Sequence, residues 1–357
     1  PSSMHTFGGQ LHRKIEEARL RVANLLGAEP EEIIFTSCGT ESDNTALMSA
    51  VESVPHKKHI ITSRVEHPAV LNFCKHLARK GYRVTYLPVS KQGQLNVDEL
   101  VKALDEDTAV VSLMYANNES GVIFPVAELG EMLKERGILF HTDAVQAVGK
   151  IPIDLKKLPV DMLSLSGHKL HAPKGVGALY VRKGARFHPY IIGGHQEHGR
   201  RAGTENVASI IALGKACELA GDKLSQEVIY LKGLRDKLEN ALLKSCPDAR
   251  INGDVNSRLP NTTNISFEYV EGEAILLRLN EFGICASSGS ACTSGSLEPS
   301  HVLRAMGVPA TLIHGSIRFS LSRYNTEAEV DKVIEIMPPV IKELRQLSPF
   351  GRERIKK

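Results

Sequence analysis

Between residues 32 and 182 the sequence alternates short β-branched runs with longer segments whose apolar residues recur at helical spacing, and few architectures accommodate that alternation. The strand candidates are EIIFT (32–36), HIITS (59–63), RVTYLPV (83–89), TAVVSLMYA (108–116), ILFHTD (138–143), DMLSLS (161–166) and GALYVR (177–182). Helical patterns include EEARLRVANLLG (16–27), HPAVLNFCKHLARKG (67–81) and VAELGEMLKERG (126–137), the last two ending in the glycine expected just past a helix. Strand, helix, strand in this order implies an α/β fold, with a largely parallel seven-stranded sheet and helices on both faces. After the charged pattern LKGLRDKLENALLK (231–244) the texture changes. NTTNISFEYV (261–270) and GSIRFSLS (315–322) flank helical stretches, and a smaller α+β domain is expected there. The expected division is a large domain over 1–226 and a small one over 227–357, with a frayed tail, GRERIKK.

At 357 residues and 42% hydrophobic, the chain is long enough for two domains with sizeable cores. Its 44 basic and 41 acidic residues are interspersed without the basic stripe that a phosphate backbone requires, so nucleic acid is not an expected partner. Apolar runs fall short of the roughly 18 residues of a membrane span, and no secretory signal is visible. The cysteines, Cys38, Cys74, Cys217, Cys246, Cys285 and Cys292, form no CxxC pair, which fits a reducing, cytoplasmic setting. The chain opens on Pro1 rather than Met, so an upstream piece, with any targeting segment it carries, is expected beyond this sequence.

In an open α/β sheet, ligands bind beyond the carboxyl ends of the strands, and five of these ends carry polar groups. SCGTES (37–42) is a turn of small residues running into a helix, suited to a phosphate; the plainer reading is Thr40 as a helix cap. VEHPAV (65–70) puts His67 at a helix start, where it could equally be a capping histidine. YANNESG (115–121) puts Asn117, Asn118 and Glu119 after a strand, HTDAVQ (141–146) does the same for Asp143 and Gln146, and SLSGHKLHAPKG (164–175) for Ser166, His168 and Lys169. A lysine between apolar strands and a glycine turn is poised for desolvation, which lowers its pKa and makes it nucleophilic toward aldehydes. An amine, a carboxylate, a phosphate cradle and an aromatic ring together match pyridoxal phosphate.

SCGTESDN, VEHPAV, NNESG, TDAVQ, SGHK, RRAGTEN, SSGSACTSGSLEPSHVL and IRFSLSRYNT, in this order, resemble the NifS/IscS group of cysteine desulfurases, most closely the nitrogenase-type NifS proteins. The resemblance runs from Pro1 to about Ser348, and it departs at the start, where family members carry an earlier strand with an NNATT-like stretch. It implies fold type I of the pyridoxal phosphate transferases and a homodimer that converts L-cysteine to L-alanine and passes sulfur to an iron–sulfur scaffold or another acceptor protein. Lys169 would be the Schiff-base lysine and the base for the Cα proton, and Asp143 would hold the ring nitrogen protonated. Gln146 would bond the 3′ oxygen, and His67 would stack on the ring. Gly39, Thr40, Ser166 and His168 would hold the phosphate, with Thr204 reaching the phosphate in the partner subunit. Arg318, assisted by Asn118, would clamp the substrate carboxylate. Without the resemblance, Arg318 reads as an ion-pair partner and Thr204 as a helix cap.

HKLH (168–171) and HQEH (195–198) space histidines by three, but neither His171, His195 nor His198 has a third ligand nearby in sequence, and no metal site is expected. Cys285, in the apolar run FGICASS, is expected to be buried and structural; Cys38, beside the phosphate turn, reads as a small packing residue, and Cys74, Cys217 and Cys246 sit on helical patterns without a base nearby. Cys292 differs, because glycine and serine surround it in a loop over about 287–300 with little packing surface. A thiol that attacks the sulfur of bound cysteine and then delivers it elsewhere needs that mobility. No base adjoins it in sequence, and His67 is the candidate to deprotonate it. The rival readings are a selenocysteine lyase, an aminotransferase or other pyridoxal phosphate enzyme, and a non-catalytic sulfur carrier or scaffold.

Overall fold

The computed structural model describes residues 5–288 and 299–348. The chain forms two compact units. One comprises residues 1–87, 95–116 and 124–224; the other comprises 88–94, 117–123 and 225–357.

The first unit opens with α1 (Thr6–Leu26) and then alternates β1 (Ile33–Thr36), α2 (Gly39–Ser53), β2 (His59–Ser63), α3 (Pro68–Arg79), β3 (Arg83–Leu87), α4 (Val97–Ala103), β4 (Thr108–Ser112), α5 (Val126–Glu135), β5 (Leu139–Asp143), β6 (Met162–Ser166) and β7 (Gly177–Val181). The seven strands lie in the order β1-β7-β6-β5-β4-β2-β3. Neighbours from β6 to β3 run parallel, whereas β7 is antiparallel to both β6 and β1. Every residue of β2, β4, β6 and β7 is buried, as expected of strands covered on both faces. Each large apolar side chain removed from water there, such as Ile60, Ile61 or Leu163, contributes about 1.5–3 kcal/mol.

Helices α3 and α5 end as their sequences require. In each, the next glycine, Gly81 (φ 92°) or Gly137 (φ 63°), takes the left-handed conformation. The amides of Gly81 and Tyr82 donate to Ala78 O and Leu77 O, and those of Gly137 and Ile138 to Lys134 O and Leu133 O, which satisfies the terminal carbonyls.

The long helix α6 (Val207–Ser245) begins in the first unit and ends in the second. The second unit continues with β8 (Ala249–Ile251), β9 (Thr262–Phe267), α7 (Gly272–Glu281), β10 (Ser287–Ser288), α8 (His301–Ala305), α9 (Ala310–Ile313), β11 (Ser316–Ser320) and α10 (Glu327–Leu347). Its antiparallel sheet has the order β10-β11-β9-β8 and packs Ile265, Phe267, Ile317 and Phe319 against Leu238, Leu242, Ile275 and Met337.

The thiols of Cys74 and Cys217 are buried, which pushes both up to about 12, and Cys246 is buried too. Cys285 corrects the sequence expectation, because it is exposed. It sits where the chain becomes extended toward β10, so side chains alternate: Ile284 and Ala286 pack on the core, and Cys285 points away. Cys292 and the tail GRERIKK lie outside the described residues.

Candidate functional site

The groups singled out at strand ends in the first unit converge. Asp143 ends β5, where its Oδ1 accepts the Val145 amide at 2.9 Å. Burial pushes its carboxyl up to about 6, opposed by that amide and by the charge of Lys169. Lys169 is half-buried in a short 3₁₀ turn, Gly167–Leu170, which follows β6 directly. His67 is the N-cap of α3: its Nδ1 accepts the Ala69 amide at 3.2 Å, and Pro68 occupies the first helical position. One ring nitrogen of His67 and one oxygen each of Asp43 and Asp143 lie within 4.8 Å of one another. Gln146 is half-buried three residues past Asp143.

The turn into α2 suits an anion. Cys38, not Thr40, is the N-cap residue, and no side chain caps the helix there; Thr40 is exposed in the first turn. A Cβ added at Gly39 would stand 2.8 Å from Val145 Cγ2 and 3.4 Å from Ser166 Cβ, so only glycine lets the helix start approach so closely. Ser166 Oγ and His168 Nδ1 are 2.8 Å apart beside it. Burial and the neighbouring Lys169 and Lys174 lower the His168 pKa. An uncapped helix start, a close-packed glycine and a hydroxyl–imidazole pair fit a phosphate, and the adjoining carboxylate and amine fit the rest of pyridoxal phosphate.

The segment carrying Thr204 is tied down by two forked ion pairs. Arg201 donates from Nε and Nη2 to the two oxygens of Glu41 at 2.8 and 3.1 Å, and Glu41 also accepts from the Ser37 amide and hydroxyl. Arg19 donates to both oxygens of Glu197 at 2.7 and 2.8 Å, and Glu197 Oε2 also accepts the Phe35 amide at 2.8 Å. Glu197 and His198 hold left-handed backbone (φ 48° and 56°), a strained conformation that these contacts hold in place. Thr204 is exposed and does not cap α6; the Ser209 amide donates to Asn206 Oδ1 instead.

In the second unit, Asn117 Oδ1 accepts from the amides of Glu119 and Ser120 and from Ser120 Oγ, which shapes the NNESG turn. Arg318, on β11, donates from Nη1 to Asn118 O at 2.6 Å. Asn118 Oδ1 is buried and has no hydrogen-bond partner among the described residues. Burial pushes the Glu119 carboxyl up to about 7, against a 2.5 Å hydrogen bond from Ser300 Oγ and the charge of Arg318.

Sequence reasoning passed over three buried groups inside the motifs it used: Asp43, Glu66 and His141. The signal was present for Asp43, because it begins an i, i+3, i+4, i+7 pattern with Ala46, Leu47 and Ala50, all buried. Glu66 Oε1 accepts from Ser63 Oγ at 2.6 Å and from the Met114 amide at 3.1 Å, while burial pushes its carboxyl up to about 8. Ser112, His141 and Ser164 form a polar row across β4, β5 and β6, with both ring nitrogens of His141 at 2.9 Å from a hydroxyl. Burial pushes this imidazole down to about 3, so it is neutral. Among the described residues, His171, His195 and His198 join no cluster of metal-ligating groups, and no helix is long and apolar enough to cross a membrane.

Comparison with known proteins places these features in a family. Residues 1–333 match the family described as aminotransferase class-V. A protein of Nostoc sp. named cysteine desulfurase is 63% identical over 353 residues, covering 99% of this chain and 88% of that protein. The cysteine desulfurase NifS of Azotobacter vinelandii is 59% identical over 351 residues, covering 98% and 87%. A solved structure titled NifS-like protein superposes with a TM-score of 0.89 at 42% identity, covering 96% of this chain and 91% of that one.

Proposed function

Because the chain belongs to the class-V aminotransferase family, among its NifS-type cysteine desulfurases, we propose that it is a pyridoxal phosphate-dependent enzyme that converts L-cysteine to L-alanine and takes the sulfur onto Cys292 as a persulfide. The observation that carries this reading is the buried Asp143 carboxyl, facing the charge of Lys169, at a strand end next to the uncapped start of α2.

When bound, pyridoxal phosphate supplies an electron sink for the pair left on the substrate's Cα. The chain's residues do the rest. Lys169 removes the Cα proton. Asp143 stabilises a protonated ring nitrogen, Gln146 orients the ring through its 3′ oxygen, and His67 stacks on the ring face. Gly39, Thr40, Ser166 and His168 hold the phosphate, and in a homodimer Thr204 serves the partner's phosphate. Arg318, with its guanidinium steadied by the carbonyl of Asn118, binds the substrate carboxylate. The Cys292 thiolate, formed with His67 as base, attacks the substrate sulfur. The Cβ–S bond breaks with its electron pair passing to carbon, protonation of that carbon completes the methyl group, and return of a proton from Lys169 to Cα completes alanine. The persulfide then passes to an acceptor protein for iron–sulfur cluster assembly, including the assembly that supports nitrogen fixation, in the cytoplasm.

On this account residues 1–226 form the cofactor-binding domain and residues 227–357 carry the Cys292 loop. The test is to supply L-cysteine to the parent and to Cys292→Ala and to measure alanine and sulfide. The variant is expected to keep the visible absorption of bound cofactor and lose both products. Full turnover by Cys292→Ala would refute the nucleophile assignment, and a parent that turns over selenocysteine alone would point to a lyase instead.

A further inference from the structure

Asp43 has no part in the roles above, yet it is 1% exposed in the first turns of α2, against the sheet. The Ser164 side chain of β6 adjoins its carboxyl and favours its ionised form, against the larger effect of burial. His141 Nε2, from β5, lies 3.6 Å from Oδ1, and that oxygen has no hydrogen-bond partner among the described residues. Asp143 and His67 each bring one polar atom within 4.8 Å of a carboxylate oxygen of Asp43. Glu66 and Cys38 also face Asp43, and Lys169 faces Asp143.

A neutral imidazole has one ring proton to donate. Each ring nitrogen of His141 has a serine hydroxyl at 2.9 Å, so one hydroxyl accepts the ring proton and the other donates to the bare nitrogen. Every member of the row is then satisfied without a positive charge on His141. Nothing in the row offsets a second anion, and two carboxyls this close in a dry site cannot both ionise. The charge of Lys169 favours ionisation of Asp143, whereas burial and the neighbouring Asp143 disfavour it on Asp43.

We propose that Asp43 is a positioning residue that keeps a proton on its unpartnered oxygen, so that Asp143 is the single carboxylate presented to the cofactor's ring nitrogen. The consequence for the cofactor rests on the function proposed above; the location of the proton does not.

The test uses the full chain stripped of cofactor. Infrared spectra from neutral to mildly alkaline pH should contain the carbonyl band of a protonated carboxylic acid that is missing from Asp43→Asn, with Glu66→Gln used to subtract the share of Glu66. In Asp143→Asn the like charge is gone, and the band should vanish at a pH lower by about one unit or more. If Asp43→Asn does not fold, the displacement in Asp143→Asn still decides. No band assignable to Asp43, or a band that Asp143→Asn leaves in place, would overturn the proposal, whereas a merely structural Asp43 would not respond to Asp143. Affinity for added pyridoxal phosphate tests the other premise separately: unchanged binding in Asp143→Asn would count against the role of Asp143, not against the proton on Asp43.

Discussion

The ion pair between Arg19 and Glu197 allows a quantitative test of what holds the Thr204 segment in place. Their side chains are 3% and 4% exposed, and the contacts are 2.7 and 2.8 Å in a bidentate fork. Glu197→Ala leaves the guanidinium with the partly exposed Glu16, the Ile33 carbonyl and the face of the Phe35 ring, and it strips the Phe35 amide of its acceptor. Breaking a buried pair by removing one partner costs about 3–5 kcal/mol, mostly because the remaining charge is stranded. That is a large share of a typical total stability of about 5–15 kcal/mol. Arg19→Leu is expected to cost a similar amount. The double variant Arg19→Leu/Glu197→Ala should cost clearly less than the two single losses added together, because neither charge is stranded. The assay is urea unfolding of all four proteins at one cofactor concentration. Single variants within about 0.5 kcal/mol of the parent, or losses that simply add, would refute the reasoning.

Other expectations follow from the same geometry. Glu66, with its carboxyl near 8 in the fold and near the ordinary value when unfolded, binds more protons in the native state between those limits, so its contribution to stability falls as pH rises from about 4.5 toward 8 and then levels off. Glu66→Gln, which keeps an acceptor for Ser63 and Met114, should flatten that decline in melts across the range; parallel profiles would contradict it. Gly39→Ala pushes a methyl group against Val145 and should cost about 1–3 kcal/mol and weaken pyridoxal phosphate binding in an absorbance titration. Lys169→Ala should lose the visible absorption of the cofactor-bound parent. Arg318→Lys replaces a fork by a point charge and should raise KM for L-cysteine about tenfold or more without altering that absorption.

The strands of the first unit were legible as short runs rich in β-branched and apolar residues, most of them buried along their whole length although the edge strand β3 is only partly so, and α3 and α5 carry their own stop signals at Gly81 and Gly137. The second unit was harder. Its edge strands β8 and β10 have three and two residues, too short for any period to register, and segments 88–94 and 117–123 join it through contacts distant in sequence. Asp143 and Lys169 were legible as polar groups at strand ends. Glu66 and His141 were not, because a buried polar residue is informative only once its hydrogen-bond partners are known; for Asp43 the helical period shared with Ala46, Leu47 and Ala50 signalled burial but not what the carboxyl faces. Cys285 was misjudged for the opposite reason: an apolar neighbourhood in sequence says nothing about which side of an extended segment a residue faces.

The central claim is that Cys292 receives the sulfur of L-cysteine. Mass spectrometry of the cofactor-loaded protein, after L-cysteine is added without reductant and thiols are alkylated, tests it directly. The account requires one extra sulfur on the peptide containing Cys292, formed together with alanine. Extra sulfur on the exposed Cys285, or alanine formed while Cys292 stays unmodified, would contradict it.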